Sequence, residues 1–196
     1  MHPAFRRAFP RERFDFVVQM LARAGVTPNQ ISWTGFALAF GSGVLAGMGL
    51  LQWAGLVSLL GAALDLFDGA LARATGTASK FGALLDSTLD RYNEAVLLGG
   101  VLVWASGRGD TLLVVLCTLA LFGSIMVSYV KARAEGLDLD CDVGMFARPE
   151  RVVVMGVGLM VGLHVWAVAL IAFFANLTAL QRLLHVYRIS GEDRKG

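Results

Sequence analysis

Asp65, Asp68, Asp86 and Asp90 crowd four carboxylates into one short stretch, DLFDGALARATGTASKFGALLDSTLD. On a helix, Asp65 and Asp68 stand three residues apart and Asp86 and Asp90 four apart, so each pair shares a face. Two consecutive helices then each offer a carboxylate pair. Four anions held together in low dielectric repel one another, and either protons or cations relieve the charge. Hard divalent ions take oxygen ligands, and two of them about 4 Å apart stabilise the attacking and leaving oxygens of a phosphoryl displacement. Gly69 beside Asp68, Gly82 one turn before Asp86 and the small Ala72 leave room for a phosphate or nucleotide against the helix backbones. Arg73 is placed to bind a phosphate oxygen. The competing reading pairs the aspartates with Arg73, Lys80 and Arg91 at a membrane edge; three cations at loop positions do not satisfy four inward-facing carboxylates.

The helices that carry these residues sit in lipid. The chain of 196 residues is 56% hydrophobic and 16% charged, and its mean hydropathy of +0.64 lies outside the soluble range. No Asp, Glu, Lys or Arg occurs in 24–64, 95–107, 111–130 or 152–181. The first gap holds two spans, about 31–51 and 53–73, turning at GLLQWAG; a third runs over 81–105 and a fourth over 111–135. The last apolar run makes one over-long helix or two around GLHVW. Two are expected, because only a second crossing returns Arg182 to the side of the other cations. The fold class is therefore all-α, an integral membrane bundle of six transmembrane helices.

With six spans, every Lys and Arg except Arg108 falls on the side of the termini, which places the termini in the cytoplasm. Trp53, Trp104 and Trp166 mark the outer interface. Before the bundle, PRERFDFVVQMLARAG repeats Phe14, Val17, Val18 and Leu21 at helical spacing between Pro10 and Gly25, and predicts an amphipathic interfacial helix. The resulting organisation is a juxtamembrane segment over 1–27, the helical domain over 28–188 and a polar tail over 189–196. Gly43 and Gly47 form a GxxxG for close packing within or between chains. Cys117 in a span and Cys141 in a loop are expected to stay reduced, and the DLDCD loop lacks the glycine and glutamate of a calcium loop.

The pattern Asp65-x-x-Asp68-Gly69-x-x-Ala72-Arg73, eight residues, then Gly82-x-x-x-Asp86-x-x-x-Asp90 is similar to the full signature of the CDP-alcohol phosphatidyltransferases, with every signature position matched. The resemblance implies a homodimeric membrane enzyme that moves the phosphatidyl group of a CDP-linked lipid to an alcohol and releases CMP. It implies Mg2+ or Mn2+, two ions per active site, held by Asp65, Asp68, Asp86 and Asp90. It also implies that Asp90 takes the proton of the acceptor hydroxyl and that Gly69, Ala72, Arg73 and Gly82 hold the cytidine diphosphate. No nucleic acid is among the implied partners.

A second group of residues bears on the acceptor. SYVKARAEG, closing the fourth span, sets Ser128 one turn from Lys131; ARPER opens the fifth with Arg148 and Arg151; QRLLHVYR closes the sixth with Arg182. Convergence of Lys131, Arg151 and Arg182 at the start of a helix makes a phosphate site. These segments resemble those of the prokaryotic phosphatidylinositol phosphate synthases, which implies that Ser128, Lys131, Arg151 and Arg182 hold the phosphate of inositol phosphate. After Asp90 the chain reads RYNE where those synthases have Arg-Ile-Ser-Asp. Glycerol 3-phosphate is the rival acceptor, and a cation transporter with intramembrane carboxylates is the rival outside enzymes.

Overall fold

A computed structural model describes residues 11–192, with side chains from Phe16 to Ser190. Arg6, Arg7, Pro10, Arg194 and Lys195, and the side chains of Arg11, Arg13 and Phe14, lie outside the described residues. Among those described, the regular elements are all helices: α1 (Arg11–Arg23), α2 (Pro28–Gly47), α3 (Leu51–Ala74), α4 (Lys80–Gly107), α5 (Thr111–Glu135), α6 (Arg148–Met160) and α7 (His164–Glu192).

Local chemistry sets the boundaries. Gly25 turns with φ +73° after α1. Thr27 and Gln30 form a capping box at the start of α2, with Pro28 as its first residue. Ser79 Oγ accepts from Gly82 N–H at 3.0 Å to open α4, and Asp110 accepts from Leu113 N–H at 3.0 Å to open α5. The last apolar run breaks at Gly162, φ +78°, inside the expected GLHVW region. α7 continues through Glu192, so residues 189–192, read from sequence as part of the tail, are helical.

Alternating helix ends bring Arg73, Lys80, Arg91, Lys131, Arg133, Arg148, Arg151, Arg182 and Arg188 toward one end of the bundle and Arg108 to the other. Trp53, Trp104 and Trp166 share the end of Arg108, whose guanidinium lies 5.1 Å from the Trp104 ring centroid. α1 buries Val18 against Ile31 and Leu71, with Leu21 and Ala22 alongside, so its expected apolar face meets α2 and α3. Phe16 and Met20 stay exposed.

α2 packs on both α3 and α4, α3 on α6, α5 on α4 and α7, and α6 on α7; α3 and α4 barely touch. Small residues make the tight crossings. Gly43 of α2 meets Gly100 and Val96 of α4, and a Cβ on Gly55 of α3 would stand 2.5 Å from the Gly156 carbonyl oxygen of α6. The GxxxG is thus spent, at Gly43, inside one chain.

Among the described residues, three helices are long and apolar enough to cross a membrane: α3, α5 and residues His164–Ser190 of α7. α6 is shorter than the expected fifth span. Its 13 residues reach about 20 Å, against about 30 Å of hydrocarbon. The reason is where it starts. Arg148, its first residue, pairs with Asp65, which lies nine residues before the end of α3 at Ala74, or about 14 Å inside the bundle. The segment 136–147 descends to that depth, and its backbone is satisfied on the way: Arg182 Nε donates to Val143 O at 2.9 Å and Arg151 Nη1 to Phe146 O at 3.2 Å. Gly144, φ +120°, fits where a Cβ would meet Thr178 Cγ2 at 2.5 Å.

Candidate active site

Because α2 holds α3 and α4 apart, their carboxylate pairs face each other across a gap and remain in electrostatic reach: Asp86 acts on Asp68, and Asp90 on Asp65. Asp68, 5% exposed, accepts from Ser32 Oγ at 2.7 Å and from Gly69 N–H at 2.5 Å. Asp65 abuts α2 at Gly35, where a Cβ would lie 2.5 Å from Asp65 Oδ1. Arg148 Nη2 stands 2.9 Å from Asp65 Oδ2 and 2.7 Å from Asp90 Oδ1, joining the two helices through one nitrogen. Asp86 has no hydrogen bond or ion pair with a described residue.

The ion pairs weighed from sequence form only at their edge. Arg91 reaches Asp90 at 3.9 Å, while Arg73 and Lys80 are exposed and form no ion pair with a described aspartate. Arg73 instead lies over Gly69, its Nη1 3.4 Å from where a Cβ would stand. Ala72 and Gly82 are half-buried.

The donor set suits a hard divalent ion, being carboxylate oxygen throughout. Among the described residues no group of three or more His, Cys, Asp or Glu is closed around a single point. Two of the four carboxylates do converge, on the Arg148 nitrogen, which stands as a cation between them. The four carboxylates match such an ion in chemistry, while Arg148 holds two of them here.

The expected phosphate-binding cations gather at the inner ends of α5, α6 and α7. Arg182 is in electrostatic reach of both Lys131 and Arg151. Each is already partnered. Arg151, 1% exposed, donates to Glu94 from Nε at 2.6 Å and from Nη2 at 2.9 Å; Ser124 Oγ joins Glu94 at 2.8 Å. Arg182 donates to Val143 O and, at 2.6 Å, to Val127 O. Lys131 pairs with Asp142 and, at 3.6 Å, with Glu135, and the Lys131 ammonium holds the Asp142 carboxyl below its usual range. Ser128 is half-buried. A cavity lies beside Asp65 and Arg151, with Asn93, Glu94 and Arg148 also in its otherwise largely apolar lining; Asn93 Oδ1 and Arg148 Nε are buried without a hydrogen-bond partner among the described residues.

Sequence reading did not assign Ser32, Gly35, Asn93, Glu94 or Ser124 to the site, and took Arg148 only as a flanking cation. Glu94 carried a signal. Asp86, Asp90 and Glu94 follow one another at intervals of four, one acidic stripe along α4. Ser32 and Gly35 carried none, since a serine and a glycine in an apolar span are ordinary.

The CDP-alcohol phosphatidyltransferase family model matches residues 25–187, and the chain belongs to that family. With its long apolar helices, it is a membrane protein. It is 36% identical to the phosphatidylinositol phosphate synthase of Mycobacteroides abscessus, over 92% of this chain and 87% of that one. It is also 36% identical to the archaetidylinositol phosphate synthase of Pyrococcus horikoshii, over 88% of this chain and 90% of the other. Among solved structures, the phosphatidylinositol phosphate synthase of Mycobacterium tuberculosis with CDP-DAG bound superposes with a TM-score of 0.81 at 30% identity, covering 89% of this chain and 93% of that one. The same enzyme in complex with manganese and citrate gives a TM-score of 0.81 at 31% identity, covering 87% of each chain.

Proposed function

We propose that the protein transfers the phosphatidyl group of a CDP-linked lipid, of the CDP-diacylglycerol type, to inositol 1-phosphate, releasing CMP and forming phosphatidylinositol phosphate. The observation that carries this is the pair of carboxylate pairs facing across the gap between α3 and α4, in a chain whose relatives include a phosphatidylinositol phosphate synthase and an archaetidylinositol phosphate synthase. Asp65, Asp68, Asp86 and Asp90 would hold Mg2+ or Mn2+, two ions in this reading, whose charge would polarise the diphosphate and offset the charge of departing CMP.

The chain's own residues do the rest. Ser32 fixes the Asp68 carboxylate by its hydrogen bond. Gly69, Ala72 and Gly82 leave the backbone of α3 and α4 open to the cytidine diphosphate, and the exposed Arg73 pairs with a phosphate oxygen. Asp90 accepts the proton of the attacking hydroxyl. Ser128, Lys131, Arg151 and Arg182 receive the acceptor's phosphate, a reading supported by the gathering of the three cations, of which Arg151 lines a cavity shared with Asp65.

In the same reading the chain crosses the cell membrane six times, with termini and active site cytoplasmic and α1 at the interface, and works as a homodimer. Residues 28–188 form the catalytic domain, residues 1–27 the juxtamembrane segment and the last residues, from 189, a tail. α6 is short because its start is already inside the bundle.

The test is CMP release by the purified protein with Mg2+, offering CDP-lipid with diacyl or ether tails and inositol 1-phosphate, glycerol 3-phosphate, free inositol or no acceptor. Release with inositol 1-phosphate alone is expected. Asp90→Asn should lower it by about 10²–10⁴-fold while lipid affinity changes little. Release only with glycerol 3-phosphate would keep the carboxylate chemistry and discard the inositol acceptor. No release with any acceptor would leave the carboxylates to cation transport.

A further inference from the structure

Among the described residues, Arg148 is the cation that pairs with two of the four aspartates. Its Nη2 takes one oxygen of Asp65 and one of Asp90, at 2.9 and 2.7 Å, and it is an electrostatic partner of Asp68 and Asp86 as well. The side chain is 28% exposed and the two carboxylates 9% and 14%, so solvent screens the contact weakly. It opens α6, directly after the irregular segment 136–147. Its Nε is buried with no acceptor, so the guanidinium is held by the carboxylates alone.

A carboxylate oxygen that faces a guanidinium nitrogen is a poor ligand for a second cation, because the two positive charges would meet at close range. We propose that Arg148 is an exchangeable counter-cation: it holds Asp65 and Asp90 together in the metal-free enzyme and leaves them when a divalent ion binds. This rests on the reading of those aspartates as metal ligands. Two consequences follow from the geometry. Without metal, Arg148 offsets repulsion among the four carboxylates and keeps α4 and α6 in register. It also occupies Oδ1 of Asp90, the carboxylate read as the proton acceptor, so that oxygen is free only once the guanidinium moves away.

The experiment is a titration of the full-length protein in detergent micelles with Mn2+, reading free Mn2+ by its electron paramagnetic resonance, paired with thermal unfolding in EDTA. Arg148→Gln should bind Mn2+ at least tenfold more tightly than the unsubstituted protein, while its unfolding temperature in EDTA falls and the rise on adding Mn2+ grows. Arg148→Lys, whose single ammonium replaces a fork of donors, should lie between, and it decides the matter if Arg148→Gln does not elute as a folded species. Equal or weaker Mn2+ binding in the folded variants would overturn the counter-cation role while leaving the metal site standing. Absence of Mn2+ binding by the unsubstituted protein, matching Asp65→Asn, would instead remove the metal reading and this inference with it.

Discussion

Arg151 and Glu94 show how one residue is asked to do two things. The guanidinium is buried to 1% and doubly bonded to Glu94, and it also ties down Phe146 O; the same group is read as a ligand of the acceptor phosphate. The roles separate by substitution. Arg151→Met leaves Glu94 buried and unpaired, and should cost about 3–5 kcal/mol of stability. Adding Glu94→Met should recover most of that, since a well-packed apolar pair replaces a buried ion pair at little cost. Acceptor affinity should remain lost in the double variant. Thermal unfolding and the acceptor KM, measured on all three proteins, check this; a double variant with normal KM would make Arg151 purely structural.

At the scale of elements, the gap between α3 and α4 exists because α2 holds each of them by a close crossing. The contact of Gly43 with Gly100 and Val96 admits no side chain on either glycine, which lets the α2 and α4 axes approach closely, while α3 packs on α2 and α6 and barely touches α4. Gly100→Leu should force α4 away from α2, lowering stability by about 1–3 kcal/mol and misplacing Asp86 and Asp90 relative to Asp65 and Asp68. Activity should therefore fall more than stability alone accounts for. Gly99→Leu is the control, because nothing lies within 4 Å of a Cβ there. Gly25 after α1, the fourth span over 111–135 and the break within GLHVW were legible in the sequence; the limits of the first span were not, since it was expected over about 31–51 and α2 runs Pro28–Gly47. The depth at which α6 begins was not, since it depends on a contact between Arg148 and a residue 83 positions away.

For the whole molecule, the charge asymmetry sets the expected orientation, and labelling checks it. Cys117 and Cys141 are both buried, and burial pushes the Cys141 thiol up, so little of it is thiolate near neutral pH and the native background is low. A membrane-impermeant maleimide should label Ser106→Cys in intact cells and Ser79→Cys only after the cells are opened; the reverse pattern would invert the topology. By itself the sequence determined what periodicity, charge gaps and fixed spacing encode: an all-helical membrane chain, the two carboxylate pairs and the family whose signature they match. These are local properties, carried by residues within a turn or two of each other. Only the tertiary structure decided which charge meets which. Ser32 belongs to Asp68, Glu94 to Arg151 and Arg148 to Asp65 and Asp90 because α2, α4 and α6 pack as they do, and a buried charge takes whichever partner packing brings within reach.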